Sequence, residues 1–198
     1  MIIHNCEQGS EEWFAVKCGK VSASHFGDVL NKKTGRRTYM LKVLAERMSG
    51  ELMSGYSNKA MEDGIELEPV ARECYEDIFG PVQQVGFVEL NDYVGCSPDG
   101  LIGDDGGLEI KASYPNTHID YILSGKLPAV YVPQVQGNMW VTGCTWWDFV
   151  SFCPKIKDRP FWQIRVERDE KYIENLTAEV DRFINDMKEL EQKIKAPF

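Results

Sequence analysis

The run from Ser97-Pro98-Asp99-Gly100 through Gly103-Asp104-Asp105-Gly106-Gly107 to Leu108-Glu109-Ile110-Lys111 constrains the fold more than any other part of the chain. A Gly-rich turn between two short apolar runs predicts a β-hairpin. Residues two apart on a strand share a face, so Glu109 and Lys111 point the same way. The turn brings their strand back beside the one that ends near Asp99, and cross-strand neighbours lie about 5 Å apart at Cβ. Two carboxylates and one ammonium are therefore expected to meet at one point.

The rest of the chain alternates helical and strand patterns. Ser10-Glu11-Glu12 opens a helix that Gly19 stops, and Ser22-Ala23-Ser24 caps a short helix carrying Phe26, Val29 and Leu30. Residues 32–37 form a basic loop, and helices follow over Tyr39 to Met48 and from Asn58 to about Phe79. Pro69 is expected to kink or split the second of these. Val82 to Leu90 and Tyr93 to Ser97 are β-rich. After the hairpin, Asn116 to Leu123 and Val130 to Val141 look helical, and Thr145 to Phe152 and Phe161 to Val166 are aromatic-rich strands. Ile173, Leu176, Val180, Phe183, Ile184, Met187, Leu190 and Ile194 recur with a period near 3.6, which predicts a final amphipathic helix over Glu170 to Ile194 whose stripe packs on the core. With no repeat or linker, this order predicts an α/β fold: a single domain over residues 1–198, with a central mixed sheet flanked by helices.

Composition narrows the function. There are 22 Lys plus Arg against 31 Asp plus Glu, a net charge of −9. That argues against coating nucleic acid by bulk electrostatics but leaves room for a local basic groove. No apolar run approaches the roughly 20 residues of a membrane span, and no secretory signal is read at the N-terminus. The six cysteines include no C-x-x-C pair, and none of the three histidines stands at ligand spacing to a cysteine or another histidine. Reduced thiols and a cytoplasmic location are expected.

Two hard carboxylate ligands would suit Mg²⁺, with Mn²⁺ as a substitute, in metal-dependent phosphodiester hydrolysis. A nearby ammonium can hold the attacking water and stabilise developing charge. The spacing alone is not decisive. About two Asp/Glu-x-Lys triplets are expected by chance in such a chain, and Asp169-Glu170-Lys171, Asp186-Met187-Lys188 and Glu191-Gln192-Lys193 also fit. An ordinary charged hairpin satisfies the pattern equally well.

Pro98-Asp99 with Glu109-Ile110-Lys111 is similar to the PD-(D/E)XK nuclease motif. The flanking residues are similar to one branch of it. Glu7-Gln8-Gly9, Trp13, Ser22-Ala23-Ser24, Cys96 to Leu101, Gln134-Val135-Gln136, Met139 to Thr142 and Glu167 to Tyr172 resemble, in order and over nearly the whole chain, the lambda-exonuclease-like viral recombination exonucleases.

The resemblance implies a restriction-endonuclease-like core and a 5′→3′ exonuclease on double-stranded DNA ends. Such an enzyme releases 5′-mononucleotides and leaves a 3′ single-stranded tail for a single-strand-annealing partner protein. It also implies a ring-shaped homotrimer around DNA and a phage or prophage origin in a bacterial host. Asp99 and Glu109 would bind the metal with the carbonyl of Ile110, Glu68 would add a further acidic ligand, Lys111 would position the water, and Gln134 would contact the water or scissile phosphate. Lys17, Ser22, Ser24 and Ser97 would hold the terminal 5′-phosphate, with Lys17 where the family has arginine, which loses the bidentate fork. Met61 would wedge at the duplex end and Lys33 would follow the minor groove. The rival expectations are a sequence-specific endonuclease on the same core and a non-catalytic DNA-end-binding protein.

Overall fold

The computed structural model describes residues 1–31, 34–53 and 59–196, with the side chains of residues 34 and 59–63 outside that description. Eight strands form two four-stranded sheets rather than one. The first contains β1 (Ile2–His4), β2 (Val21–Ser22), β3 (Phe87–Asn91) and β4 (Val94–Cys96), in the order β1-β3-β4-β2. The second contains β5 (Gly100–Ile102), β6 (Gly106–Ala112), β7 (Trp146–Phe152) and β8 (Phe161–Glu167), in sequence order. Both are mixed: β2–β4 and β6–β7 are parallel, and the other pairs are antiparallel. The break between the sheets falls at Ser97-Pro98-Asp99, where proline cannot donate a ladder hydrogen bond.

The expected hairpin forms. Gly100 pairs with Leu108 and Ile102 with Gly106, closing a loop in which Gly103 takes a left-handed φ of 57°. Gly106 and Gly107 let two indoles lie flat on β6. A Cβ at Gly107 would stand 2.2 Å from the Trp147 ring.

Among the described residues, seven α-helices flank the sheets. Ser10 caps α1 (Glu11–Lys17) by accepting the Trp13 amide. A single 3₁₀ turn, Ala23–His25, rather than a capped helix start, leads into α2 (Phe26–Leu30). The loop expected over residues 32–37 is shorter than that, since α3 (Thr34–Ser49) already includes Gly35, Arg36 and Arg37. The cause is tertiary: Arg36 pairs with Asp186 at 2.8 Å and lies over the Phe183 ring. Helix α4 (Lys59–Phe79) runs through Pro69 without splitting. The carbonyl that loses its donor belongs to Ile65, which is 74% exposed and so open to solvent.

Beyond the hairpin come α5 (Pro115–Ser124), α6 (Val132–Thr142) and α7 (Glu170–Lys195). Asp169 caps α7 through the Tyr172 amide. The α7 stripe is buried from Ile173 to Met187, with Leu190 partly covered, but Ile194 is exposed, so the packed face ends a turn early. One hydrophobic cluster joins elements of both sheets, from Val88, Val94 and Cys96 to Trp147 and Phe149, with Met139, Phe183 and Met187 from the helices. A second, made of Ala71, Tyr75, Leu108, Ile110, Val150 and Phe152, seats α4 on the opposite face of β6 and β7. Among the described residues, no helix is long and apolar enough to cross a membrane, and all six cysteines are free thiols.

Candidate active site

The hairpin delivers its charges as the spacing predicts. Asp99 stands at the mouth of β5, and its Oδ2 accepts the Ile110 amide at 2.6 Å. Glu109, one residue back on β6, is 1% exposed. Its Oε1 accepts from Lys111 Nζ at 2.5 Å and from Gln134 Nε2 at 2.6 Å, and its Oε2 accepts from Asn138 Nδ2 at 3.1 Å. A buried carboxylate with three donors is fixed in orientation. Gln134 and Asn138 are one turn apart on α6, so both reach the same carboxylate from one helix face.

Helix α4 approaches from the other side and supplies Glu68. Arg72, four residues on and 8% exposed, pairs with the Glu68 carboxylate and donates through Nε to the Asp99 backbone carbonyl at 3.2 Å. One guanidinium thus ties α4 to the turn that carries Asp99. Seven residues beyond Glu68, the Tyr75 hydroxyl donates to Asp148 at 2.6 Å. Asp148 has no exposed surface and takes two further bonds, each 2.9 Å, from Arg165. This second tie fixes α4 along β7.

Electrostatics at the centre favour a cation. Burial, then the charges of Glu109 and Glu68, push the Asp99 carboxyl well above its usual range. Burial likewise raises Glu68 against the pull of Arg72. Burial opposes the Lys111 ammonium, but Glu109 and Asp99 outweigh it and hold the lysine above its ordinary value, so it is charged at any physiological pH. Its Nζ also lies 5.3 Å from the centre of the Tyr131 ring. Beside these groups opens a cleft of about 730 Å³, lined by Gln8, Trp13, Glu68, Pro69, Arg72 and Asp99 among others.

Trp13 connects this cleft to a second cluster. Its indole Nε1 donates to Ser97 Oγ at 3.0 Å and to the Gly86 carbonyl at 3.0 Å, and Lys17 Nζ lies over its ring at 4.1 Å. Ser22 and Ser24 share a hydroxyl hydrogen bond of 3.3 Å, and the parallel β2–β4 pairing sets Ser22 beside Gly95, two residues before Ser97. Met61 falls in the first turn of α4, with its side chain outside the described residues, and Lys33 lies outside the described residues altogether.

Asn138, Arg72 and the Tyr75–Asp148–Arg165 group escaped the sequence reading. The Glu68/Arg72 spacing of four within a helix was a visible signal of a pair. A lone aspartate inside the aromatic strand Trp146–Phe152 was another, because a buried charge requires a partner. Nothing in the spacing marked Asn138.

Comparisons with known proteins bear on the family and the fold. A family model described as a YqaJ-like viral recombinase domain matches residues 12–145. The chain is similar to the crystal structure of an alkaline exonuclease, LHK-Exo, from Laribacter hongkongensis, at 38% identity and a TM-score of 0.88, covering 94% of this chain and 96% of that one. The same enzyme in complex with dAMP superposes with a TM-score of 0.89. A phage-related exonuclease from Haemophilus somnus 129PT shares the fold at 18% identity, with a TM-score of 0.71 over 89% of this chain and 96% of that one. Among curated proteins, the uncharacterized ExoD of Escherichia coli (strain K12) is 35% identical over 63 residues, which is 32% of this chain and 72% of ExoD.

Proposed function

We propose, on the premise that this chain belongs to the YqaJ-like viral recombinase family, that it is a metal-dependent exonuclease that degrades double-stranded DNA from its 5′ ends. It would release 5′-mononucleotides and leave a 3′ single-stranded tail for an annealing protein. The observation that carries this reading is the convergence of Asp99, Glu109 and Lys111 at the end of one hairpin, with Glu68 brought to the same point by α4.

The donor set fits a hard divalent cation. Among the described residues no three acidic, histidine or cysteine side chains stand together so that they could hold a metal ion as placed, so the fit rests on the Asp99–Glu109 pair. An open set of carboxylates suits Mg²⁺, which keeps several of its waters, and Mn²⁺ has the same oxygen preference. Asp99 and Glu109, with the Ile110 carbonyl, would hold the ion, and Glu68 would join them on a shift from its pair with Arg72. When bound it supplies a Lewis acid for the phosphoryl oxygen and lowers the pKa of a coordinated water.

The remaining work belongs to the protein. Lys111 orients the attacking water and offsets negative charge as it develops at phosphorus. Gln134 and Asn138 keep the Glu109 carboxylate aimed into the site, and in this arrangement Gln134 acts on the carboxylate. Release of the Gln134 amide to the water or scissile phosphate would require substrate to displace that bond. Arg72 holds Glu68 and the Asp99 turn at a fixed separation. Lys17, Ser22, Ser24 and Ser97 would hold the terminal 5′-phosphate, with Trp13 joining that seat to the catalytic cleft.

A ring-shaped homotrimer reconciles the net charge of −9 with a DNA substrate. A closed ring retains DNA by topology, so only its channel has to be basic. Digestion of a linear duplex with distinct 5′ and 3′ labels, beside a covalently closed circle, tests the reading. Loss of the 5′ label with the circle intact is expected, and cutting of the circle would establish an endonuclease instead.

A further inference from the structure

One face of α3 is built against the segment that carries Lys17, Ser22 and Ser24. Tyr39, Lys42 and Glu46 lie three and four residues apart and so share that face. At one end the Ser22 amide donates to the Tyr39 hydroxyl at 3.0 Å. At the other, Glu46, only 3% exposed, accepts the Gly19 amide at 3.3 Å through Oε2 and the Met53 amide at 3.2 Å through Oε1. Lys42, between them, is only loosely paired: its Nζ stands 4.0 Å from Glu46 Oε1. Lys17 is lowered to about 8 by burial and then by the charge of Lys42, with Glu46 pulling the other way. The Glu46 carboxylate that Lys42 approaches at 4.0 Å already serves two backbone amides, so neither ammonium has a carboxylate to itself. Partly buried like charges are unfavourable unless a counter-anion joins them, and Ser22, whose amide is held by Tyr39 on the same face of α3, shares a hydroxyl hydrogen bond with Ser24.

We infer that Lys42, together with Lys17, forms a two-lysine seat for the terminal 5′-phosphate of a DNA strand, and that Lys42 sets how strongly a phosphorylated end is preferred. The inference rests on the 5′-phosphate reading given above and adds a residue to it. A phosphate monoester carries close to two negative charges near neutral pH and matches two point cations. A single lysine lacks the planar fork of an arginine, and a second lysine restores both the charge and the number of donors.

The test compares initial digestion rates of the purified full chain on two linear duplexes that differ only in a 5′-phosphate or a 5′-hydroxyl. The ratio is measured for wild type, Lys17→Ala, Lys42→Ala and Lys42→Arg. Wild type is expected to favour the phosphorylated duplex, and Lys42→Ala to reduce that ratio by about tenfold, or to unity where wild type starts below ten, as for loss of one charge-assisted contact. Lys42→Arg should keep it. A wild-type ratio of one overturns the phosphate reading itself. A wild-type preference that Lys17→Ala removes and Lys42→Ala leaves intact overturns the role of Lys42 alone. Equal slowing of both duplexes by Lys42→Ala also overturns it, because that result marks a support for α3 and not an end reader.

Discussion

Asn138 on α6 donates to Glu109 Oε2 at 3.1 Å while Lys111, two residues along the same strand as Glu109, donates to Oε1 at 2.5 Å. Both oxygens of the buried carboxylate are thereby engaged: α6 reaches Oε2 through Asn138 and Oε1 through Gln134, which shares that oxygen with the Lys111 ammonium. The arrangement stops the carboxylate rotating away from the Asp99 side of the hairpin.

Glu109→Gln and Asp99→Asn should each lower hydrolysis by at least about a hundredfold, the scale seen when one key electrostatic group is removed from an active site. Both changes keep volume, so circular dichroism should stay close to wild type, while Glu109→Gln turns one accepting oxygen into an NH2 facing donors and should lower the melting temperature. Glu109→Ala should behave differently. It strands Lys111, Gln134 and Asn138 in a buried pocket and should also cost about 1–3 kcal/mol of stability. Cleavage near the wild-type rate in either isosteric variant would contradict the site assignment.

Lys111→Ala should remove chemistry and spare binding, since the ammonium acts mainly on the water and the developing charge. Single-turnover cleavage in Mg²⁺ should fall by about a hundredfold or more. End-binding measured in Ca²⁺ should change by less than about threefold if the contact is made only in the transition state. Equal losses in both would make Lys111 a phosphate anchor.

End preference should depend on pH with a defined sign. Lys17 is lowered to about 8 from its ordinary 10.5, by burial and Lys42 against the pull of Glu46, while Trp13 beneath it is neutral. It is charged below that value and neutral above it. The advantage of a 5′-phosphorylated over a 5′-hydroxyl duplex in kcat/KM, which reports the free enzyme, should be full near pH 7 and shrink as pH rises through about 8 towards 10. The phosphate is already a dianion across this range, so its own titration does not contribute. Lys17→Ala should flatten the profile. An end preference that grows with pH would contradict a cationic role for Lys17.

Assembly is tested by mass and by a chase. Light scattering should give about three times 22.6 kDa. Digestion under way on labelled DNA should continue after excess unlabelled DNA is added. A monodisperse monomer whose digestion stops at once would remove the ring and leave the catalytic site standing.

The hairpin that carries Asp99, Glu109 and Lys111 was legible because its signals are local. A Gly-rich turn sets the pairing, the pairing sets Asp99 opposite Glu109, and the two-residue period sets Lys111 beside it. The long α7 was legible for the same reason. Strands β1 and β2 were not: they hold three and two residues, too few for a period to register, and no tight turn marks them as it marks the three-residue β5. The partition into two sheets was hidden as well, because it depends on where Pro98 interrupts the ladder and not on the strand patterns. Residues 34–37 read as a loop by composition, yet contacts to Asp186 and Phe183, some 150 residues away, draw them into α3. Arg72 and Asn138 act only across the fold, so their roles appear only once α4 and α6 are placed on opposite sides of β6.

The most direct test of the central claim is the course of label release from a linear blunt duplex carrying different labels at its 5′ and 3′ termini, digested in Mg²⁺ by wild type and by Glu109→Gln. The wild-type enzyme should release the 5′ label first, as mononucleotide, while the 3′-labelled strand persists as single-stranded DNA. Glu109→Gln should release neither, and omission of the metal should reproduce that result. Release of the 3′ label first, internal cleavage, or undiminished digestion by Glu109→Gln would contradict a 5′-end exonuclease built on Asp99, Glu109 and Lys111.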